Sequence, residues 1–118
     1  MSWDTARELE RDGVDFAPHS ISHRIFSRLS DDDSRTEIAT SWKRLQSELK
    51  NPLPVFAWPT GRRADFGARD MAIARSLGLQ AAVSTIPDYA HVHRETPAEN
   101  WFGLNRFALP DSVDSVLR

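Results

Sequence analysis

The sequence predicts an α/β fold in which parallel strands are joined by helical crossovers, and three observations carry that expectation. Ile38, Trp42, Leu45 and Leu49 recur at spacings of four, three and four residues, the single apolar stripe of an amphipathic helix. Val55-Phe56-Ala57-Trp58 is a short apolar run closed by Pro59 and Gly61, as for a buried strand entering a sharp turn. Helical and extended segments alternate along the chain in the order helix, strand, helix, strand, helix, strand, which is the order of parallel strands with right-handed crossovers. With 118 residues the chain fits one domain or a piece of one. It falls short of the roughly 200 residues or more that a complete (β/α) barrel uses.

Each element has its own local reason. Ser2 is a natural N-cap for a helix over about residues 3–12, with Trp3, Ala6 and Leu9 at helical spacing and Gly13 as the stop. Val14-Asp15-Phe16-Ala17-Pro18 alternates apolar and polar residues, which predicts a short strand ending at the proline, since proline cannot donate to a sheet ladder. Ser30 followed by Asp31, Asp32 and Asp33 caps the long helix and suits the positive end of its dipole, and Lys50-Asn51-Pro52 stops it. After the Val55–Trp58 strand and a polar turn over 62–67, Ala68, Met71, Ala74 and Leu77 form a third helical stripe ended by Gly78. Gln80 to Ser84 is the next strand. The polar residues between Thr85 and Asn100 predict a loop, and a last strand is expected at Arg106-Phe107-Ala108-Leu109.

Composition narrows the function. Fifteen Lys plus Arg against seventeen Asp plus Glu give a formal net charge of −2 with no long basic block, which argues against nucleic-acid binding through bulk charge. The absence of cysteine excludes a disulfide framework, a thiolate metal site and a cysteine nucleophile. No apolar run approaches the roughly 20 residues of a membrane span, and Met1-Ser2-Trp3-Asp4-Thr5 lacks the basic and apolar regions of a signal peptide.

The sharpest local feature is His19-Ser20-Ile21-Ser22-His23, just past the end of the first expected strand, where α/β sheets and barrels place their ligand sites. Two imidazoles four residues apart turn toward one divalent ion when the segment forms a helical turn. The plain alternative is a pair of ordinary loop histidines. His91 and His93 alternate as on a strand, and a polar loop accounts for them equally well, so they stay outside the site. Trp42 belongs to the core stripe, while Trp101-Phe102 suits either a groove wall or a cover over an end of the fold.

Phe16-Ala17-Pro18-His19-Ser20-Ile21-Ser22-His23 resembles the H-[ST]-x-x-H motif of the polysaccharide deacetylases, the NodB-homology or carbohydrate esterase family 4 group. Phe56-Ala57-Trp58-Pro59-Thr60-Gly61 resembles the family's F-x-x-P-Y-G turn, and Leu29-Ser30 its leucine-serine helix start. Gly78 to Thr85 resembles the strand that follows, and Leu104-Asn105-Arg106-Phe107 the later L-P-R-[IF] stretch. The resemblance runs in the family's order over nearly the whole chain. It implies an α/β fold, part of a NodB-type (β/α) barrel.

The resemblance also implies a chemistry: hydrolysis of N-acetyl or O-acetyl groups on a polysaccharide or oligosaccharide, assisted by a divalent metal, most often zinc. His19 and His23 match the two histidine ligands. Thr60 matches the position whose backbone N–H helps to stabilise the oxyanion, next to Pro59, and threonine keeps that donor while removing the usual aromatic ring. Trp58 and Arg62 are expected beside the substrate groove. The family's T-F-D-D type motif, source of a ligand aspartate and a base aspartate, has no match ahead of the histidine pair. The late L-x-H motif, source of the acid histidine, has none up to Arg118. Ala57 stands where many members carry arginine, as in an F-A-Y-P-Y-G branch.

On this resemblance residues 1–118 form a single partial deacetylase domain lacking its first strand. Its exposed sheet edge is expected to favour a homo-oligomer or a complementing chain. The alternative expectation is a non-catalytic carbohydrate-binding or assembly module on the same fold.

Overall fold

The Ser2 hydroxyl accepts the Thr5 N–H at 3.1 Å and starts helix α1, Trp3–Arg11. In this computed structural model, which describes residues 1–93 and 95–108, a 3-10 turn follows at Phe26–Arg28. Ser30 then accepts the Asp33 N–H at 3.1 Å and opens α2, Asp31–Glu48, with Asp31, Asp32 and Asp33 in its first turn as the dipole favours. Strand β1 is Val55–Ala57, helix α3 is Ala68–Ser76, strand β2 is Ala81–Val83, and a second 3-10 segment is Ala98–Phe102. The three expected helices and the two central strands are therefore present, each within a few residues of its expected bounds.

β1 and β2 pair in parallel with Val55 opposite Ala81, Phe56 opposite Ala82 and Ala57 opposite Val83, and α3 is the crossover between them. The flanks differ from expectation. Residues 14–18 are not a regular strand, although Phe16 C=O accepts from Leu53 N–H at 2.7 Å and Pro18 C=O from Ala57 N–H at 3.2 Å. The ladder breaks because Pro18 and Pro54 have no N–H and Val55 turns its own N–H back onto Leu53 C=O at 2.8 Å. The last pairing centres on Leu104, two residues before the expected strand. Leu104 bridges Val83 in parallel and donates to Ala82 C=O at 3.0 Å, while Arg106 and Phe107 are exposed. Leu109, the end of that expected strand, lies outside the described residues. The described residues thus form an α/β arc around a two-stranded parallel sheet, and no bond among them closes a barrel.

The stripe on α2 divides between two cores. Ile38 and Trp42 enter the main core with Phe26, Phe56, Trp58 and Ile73, whereas Leu45 and Leu49 pack with Ala6 of α1, against which Trp3 and Phe16 rest. Phe26, Phe56 and Trp58 meet edge to face at centroid distances of 5.0 to 5.7 Å, arrangements that each add about 1 kcal/mol beyond burial. Asp70, buried at the start of α3, accepts from Ser34 Oγ at 2.7 Å, Gly67 N–H at 3.0 Å and the Arg69 guanidinium at 2.8 Å. Arg69 also donates to the Phe26 and Leu29 carbonyls. This fully paired charge cluster ties α3 to the start of α2, so the segment between the histidine loop and α2 has a fixed exit. No helix among the described residues is long and apolar enough to cross a membrane.

Candidate functional site

The histidine loop leaves Pro18 at the edge of β1 and does not form a helical turn, which corrects the geometry expected for the pair. Ser20 and His23 instead take left-handed backbone angles, φ 72° and 57°, and the Ser20 hydroxyl accepts the His23 N–H at 3.0 Å. The result still gathers the two imidazoles, edge to face with centroids 4.9 Å apart. Two imidazoles on one tetrahedral ion, with metal–nitrogen bonds of about 2.0–2.1 Å, have centroids about 5 Å apart. The observed spacing fits that arrangement.

His19 Nδ1 lies 2.7 Å from the Ala57 carbonyl oxygen. A carbonyl only accepts, so Nδ1 carries the proton and the Nε2 lone pair is left for a ligand, the tautomer that metal-binding histidines adopt. Among the described residues no group of three or more His, Asp or Glu side chains is placed to hold a metal ion. The two imidazoles thus stand together without a third such side chain among the described residues. Asp31 pairs with Arg69 at 3.2 Å and Asp33 with Arg24 at 3.8 Å, so the acidic run at the start of α2 is occupied with its own helix end and neighbours.

The second half of the site is the turn after β1. Pro59 is buried, Thr60 is exposed, and Thr60 and Gly61 both take left-handed angles, φ 57° and 62°. A β-branched residue at such an angle costs on the order of 1–3 kcal/mol. Asp65 offsets it: one carboxylate accepts the Thr60 hydroxyl at 2.6 Å, the Arg62 N–H at 2.9 Å and the Arg62 guanidinium at 3.0 and 3.2 Å. The Arg62 guanidinium and the Thr60 hydroxyl hold the Asp65 carboxyl down at about 2 against the opposing effect of burial. Thr85 closes the turn from β2, its hydroxyl donating to Thr60 C=O at 2.7 Å. No acceptor among the described residues takes the Thr60 N–H, and the turn that carries it is held from both sides.

Trp58 departs from its expected role. It is fully buried, stacks on Phe66 with rings 7° from parallel and centroids 5.1 Å apart, and donates its indole N–H to Phe102 C=O at 2.8 Å. Its place is the core, because residue 58 follows Phe56 on the inward face and the indole nitrogen finds a carbonyl there. Arg62 stays beside the turn with its side chain mostly exposed, bound to Asp65. Trp42 is buried, Phe102 is buried and Trp101 rests half-buried against the main core. His91 and His93 are exposed, and among the described residues His93 bonds to Glu95 and Thr96 of its own loop.

Two carboxylates have roles in the geometry that the sequence does not assign. Asp65, with Arg62 and Arg63 after the proline turn, reads in sequence as a groove border or a solvated loop. Glu37 reads as one more charge on an amphipathic helix, yet it is buried and accepts the Ile21 N–H at 2.8 Å, the Ser22 N–H at 3.1 Å and the Ser22 hydroxyl. Nothing in the local pattern around Glu37 marks it off from an exposed glutamate.

Comparison with known proteins places these observations. A family model described as polysaccharide deacetylase matches residues 1–82. The fold is similar to that of the Streptococcus pyogenes deacetylase PplD, solved in complex with acetate, at 25% identity and a TM-score of 0.84 over 99% of this chain and 49% of that one. It is also similar to a polysaccharide deacetylase from Bacillus cereus, at 17% identity and a TM-score of 0.76 over 91% of this chain and 32% of that one. A third likeness is to a de-N-acetylase from Aggregatibacter actinomycetemcomitans, at 14% identity and a TM-score of 0.69, covering 91% and 47% of the two chains. This chain therefore spans half or less of the length of these structures. No curated protein sequence matches it.

Proposed function

Because the chain belongs to the polysaccharide deacetylase family, we propose that it removes acetyl groups from a carbohydrate, hydrolysing an amide other than a peptide bond, or an ester, with the help of a divalent metal. The observation that supports this most is the His19–His23 pair, with rings at the spacing one ion requires and Nδ1 of His19 committed to Ala57. His19 Nε2 and the His23 imidazole would hold the ion. A zinc ion bound there supplies Lewis-acid polarisation of the acetyl carbonyl and a water of lowered pKa.

The rest falls to the chain's own groups. On this reading the Thr60 N–H, on a turn held by Asp65, donates to the oxyanion, and a preformed donor of this kind contributes about 3–4 kcal/mol to a tetrahedral transition state. Pro59 fixes the approach to that donor. Beyond the turn, Arg63, Phe66, Ile86, His91 and Asn105 line a cleft of about 400 Å³, and its mixture of donors and an apolar wall suits a sugar ring.

A third ligand comes, on this reading, from a second copy or a complementing chain that extends the arc toward a (β/α) barrel. Support for an open edge lies at Asp15 and Ala17, whose backbone groups have no backbone partner among the described residues. The non-catalytic alternative rests on there being, among the described residues, no group of three or more His, Asp or Glu side chains placed to hold a metal ion. Acetate release from an N-acetylglucosamine oligomer in the presence of zinc tests both. Release that disappears in the His19→Ala, His23→Ala double variant supports the hydrolase, and oligomer binding without any release selects the binding module.

A further inference from the structure

We propose that Glu37 is the positioning residue of the histidine pair: from α2 it holds Ile21 and Ser22, two of the three residues between His19 and His23, and thereby sets the angle at which the imidazoles meet. The geometry is specific. Glu37 is 6% exposed, and its carboxylate accepts three hydrogen bonds from the middle of the loop, from Ile21 N–H, Ser22 N–H and Ser22 Oγ. It touches neither imidazole through any hydrogen bond, so it acts through the backbone.

The loop needs such a clamp. Its flanking residues Ser20 and His23 sit at φ 72° and 57°, angles that side-chain-bearing residues rarely hold without outside support. Ile21 is 54% exposed and contributes little packing of its own. The inner end of the loop is fixed by the His19–Ala57 bond. Its outer end has the Ser20–His23 bond, which is internal to the loop and ties it to nothing else. Glu37 is the connection from the loop's middle to a long helix whose neighbouring residues Ile38 and Trp42 lie in the main core. Charge-assisted bonds to backbone N–H groups are about twice as strong as neutral ones, which suits a carboxylate to this task. Burial would raise the Glu37 carboxyl, but the Ser22 hydroxyl, the Ile21 and Ser22 N–H groups and the nearby Arg24 charge hold it below its ordinary value.

This inference rests on the metal-binding reading of the histidines, and the test separates the two. The full 118-residue chain, without metal, is compared with Glu37→Gln by amide NMR, and both are then titrated with zinc alone in a calorimeter. Glutamine keeps the shape but presents an NH2 group where the carboxylate accepted. The expected result is loss of hydrogen-exchange protection at Ile21 and Ser22, a changed His23 amide coupling, and zinc affinity lower by about 10–100-fold. Ile38→Val, which thins the core on the same helix, lowers stability and leaves zinc affinity unchanged. Ser22→Ala, which removes one bond of the three, gives a smaller loss and serves if Glu37→Gln does not fold.

Unchanged protection and unchanged affinity in Glu37→Gln overturn the proposal, as does an equal loss of affinity in Ile38→Val. If the unaltered chain binds no zinc, the metal reading fails, and the amide data on Ile21, Ser22 and His23 still decide whether Glu37 sets the loop.

Discussion

Gly61 and Thr85 approach until no side chain fits between them: a Cβ on Gly61 would lie 3.0 Å from both the N and the Cγ2 of Thr85, and 3.0 Å from the Trp58 carbonyl oxygen. The Thr85 N–H donates to Gly61 C=O at 2.8 Å across this contact, joining the turn after β1 to the end of β2. Two of the three crowding atoms are backbone, and φ at Gly61 is 62°, so Gly61→Ala has no inexpensive relaxation. We expect it to cost about 1–3 kcal/mol in urea unfolding. Acetate release should fall further than the stability loss accounts for, because Thr60 moves with it. A variant of unchanged unfolding midpoint would show that the turn tolerates the displacement.

His19→Ala removes an imidazole and also the bond to Ala57 that holds the loop against β1, whereas His23→Ala removes an imidazole alone. Both should weaken zinc binding by about tenfold or more, with His19→Ala the larger effect. Calorimetric titration of the single and double variants checks this, and equal zinc binding by the double variant and the unaltered chain would remove the histidines from the site.

Asp65 makes the turn sensitive to acid. Its carboxyl is held at about 2 in the fold against an ordinary value of 3.8. A depressed folded value means that its contribution is fully present above pH 3.8 and is lost as pH falls through about 2. Asp65→Asn should cost about 1–3 kcal/mol at neutral pH and remove this part of the acid sensitivity. Tryptophan fluorescence followed through the acid transition measures both, and an Asp65→Asn profile parallel to that of the unaltered chain over that window would contradict the assignment.

Trp58→Phe distinguishes a core role from a sugar-stacking one. The change leaves Phe102 C=O without the indole N–H and opens space beside Phe66, so we expect a loss of about 2–3 kcal/mol in denaturant unfolding. Affinity for an N-acetylglucosamine oligomer should stay the same in the folded variant. A selective loss of sugar affinity at unchanged stability would return Trp58 to the groove.

Much of the fold is legible in the sequence, because its signals are local. The Ser2 and Ser30 caps, the stripe from Ile38 to Leu49 and the stop at Gly78 each depend on residues within a few positions of one another, and helices obey such signals. The edges of the sheet were less legible. Residues 14–18 alternate as a strand should, but Pro18, Pro54 and the turned-back Val55 N–H deny them a regular ladder, and the proline on the neighbouring segment cannot be foreseen from residues 14–18 alone. Trp58 failed in the same way, since adjacency to a turn in sequence says nothing about which side of the sheet an indole faces.

The sequence by itself determined the alternation of helices and strands, the two histidines and the proline turn, because these are matters of residue type and spacing. Only the tertiary structure decided how those pieces become a site. It fixed the His19 tautomer through a carbonyl 38 residues away, seated the histidine loop on Glu37 at a separation of 15 or 16 residues, and braced Thr60 between Asp65 and Thr85. Apart from the Thr60–Asp65 bond, which spans five residues within one turn, each of these is a hydrogen bond between segments that the fold alone brings together. Its strength depends on burial and approach, which no local pattern of residues encodes.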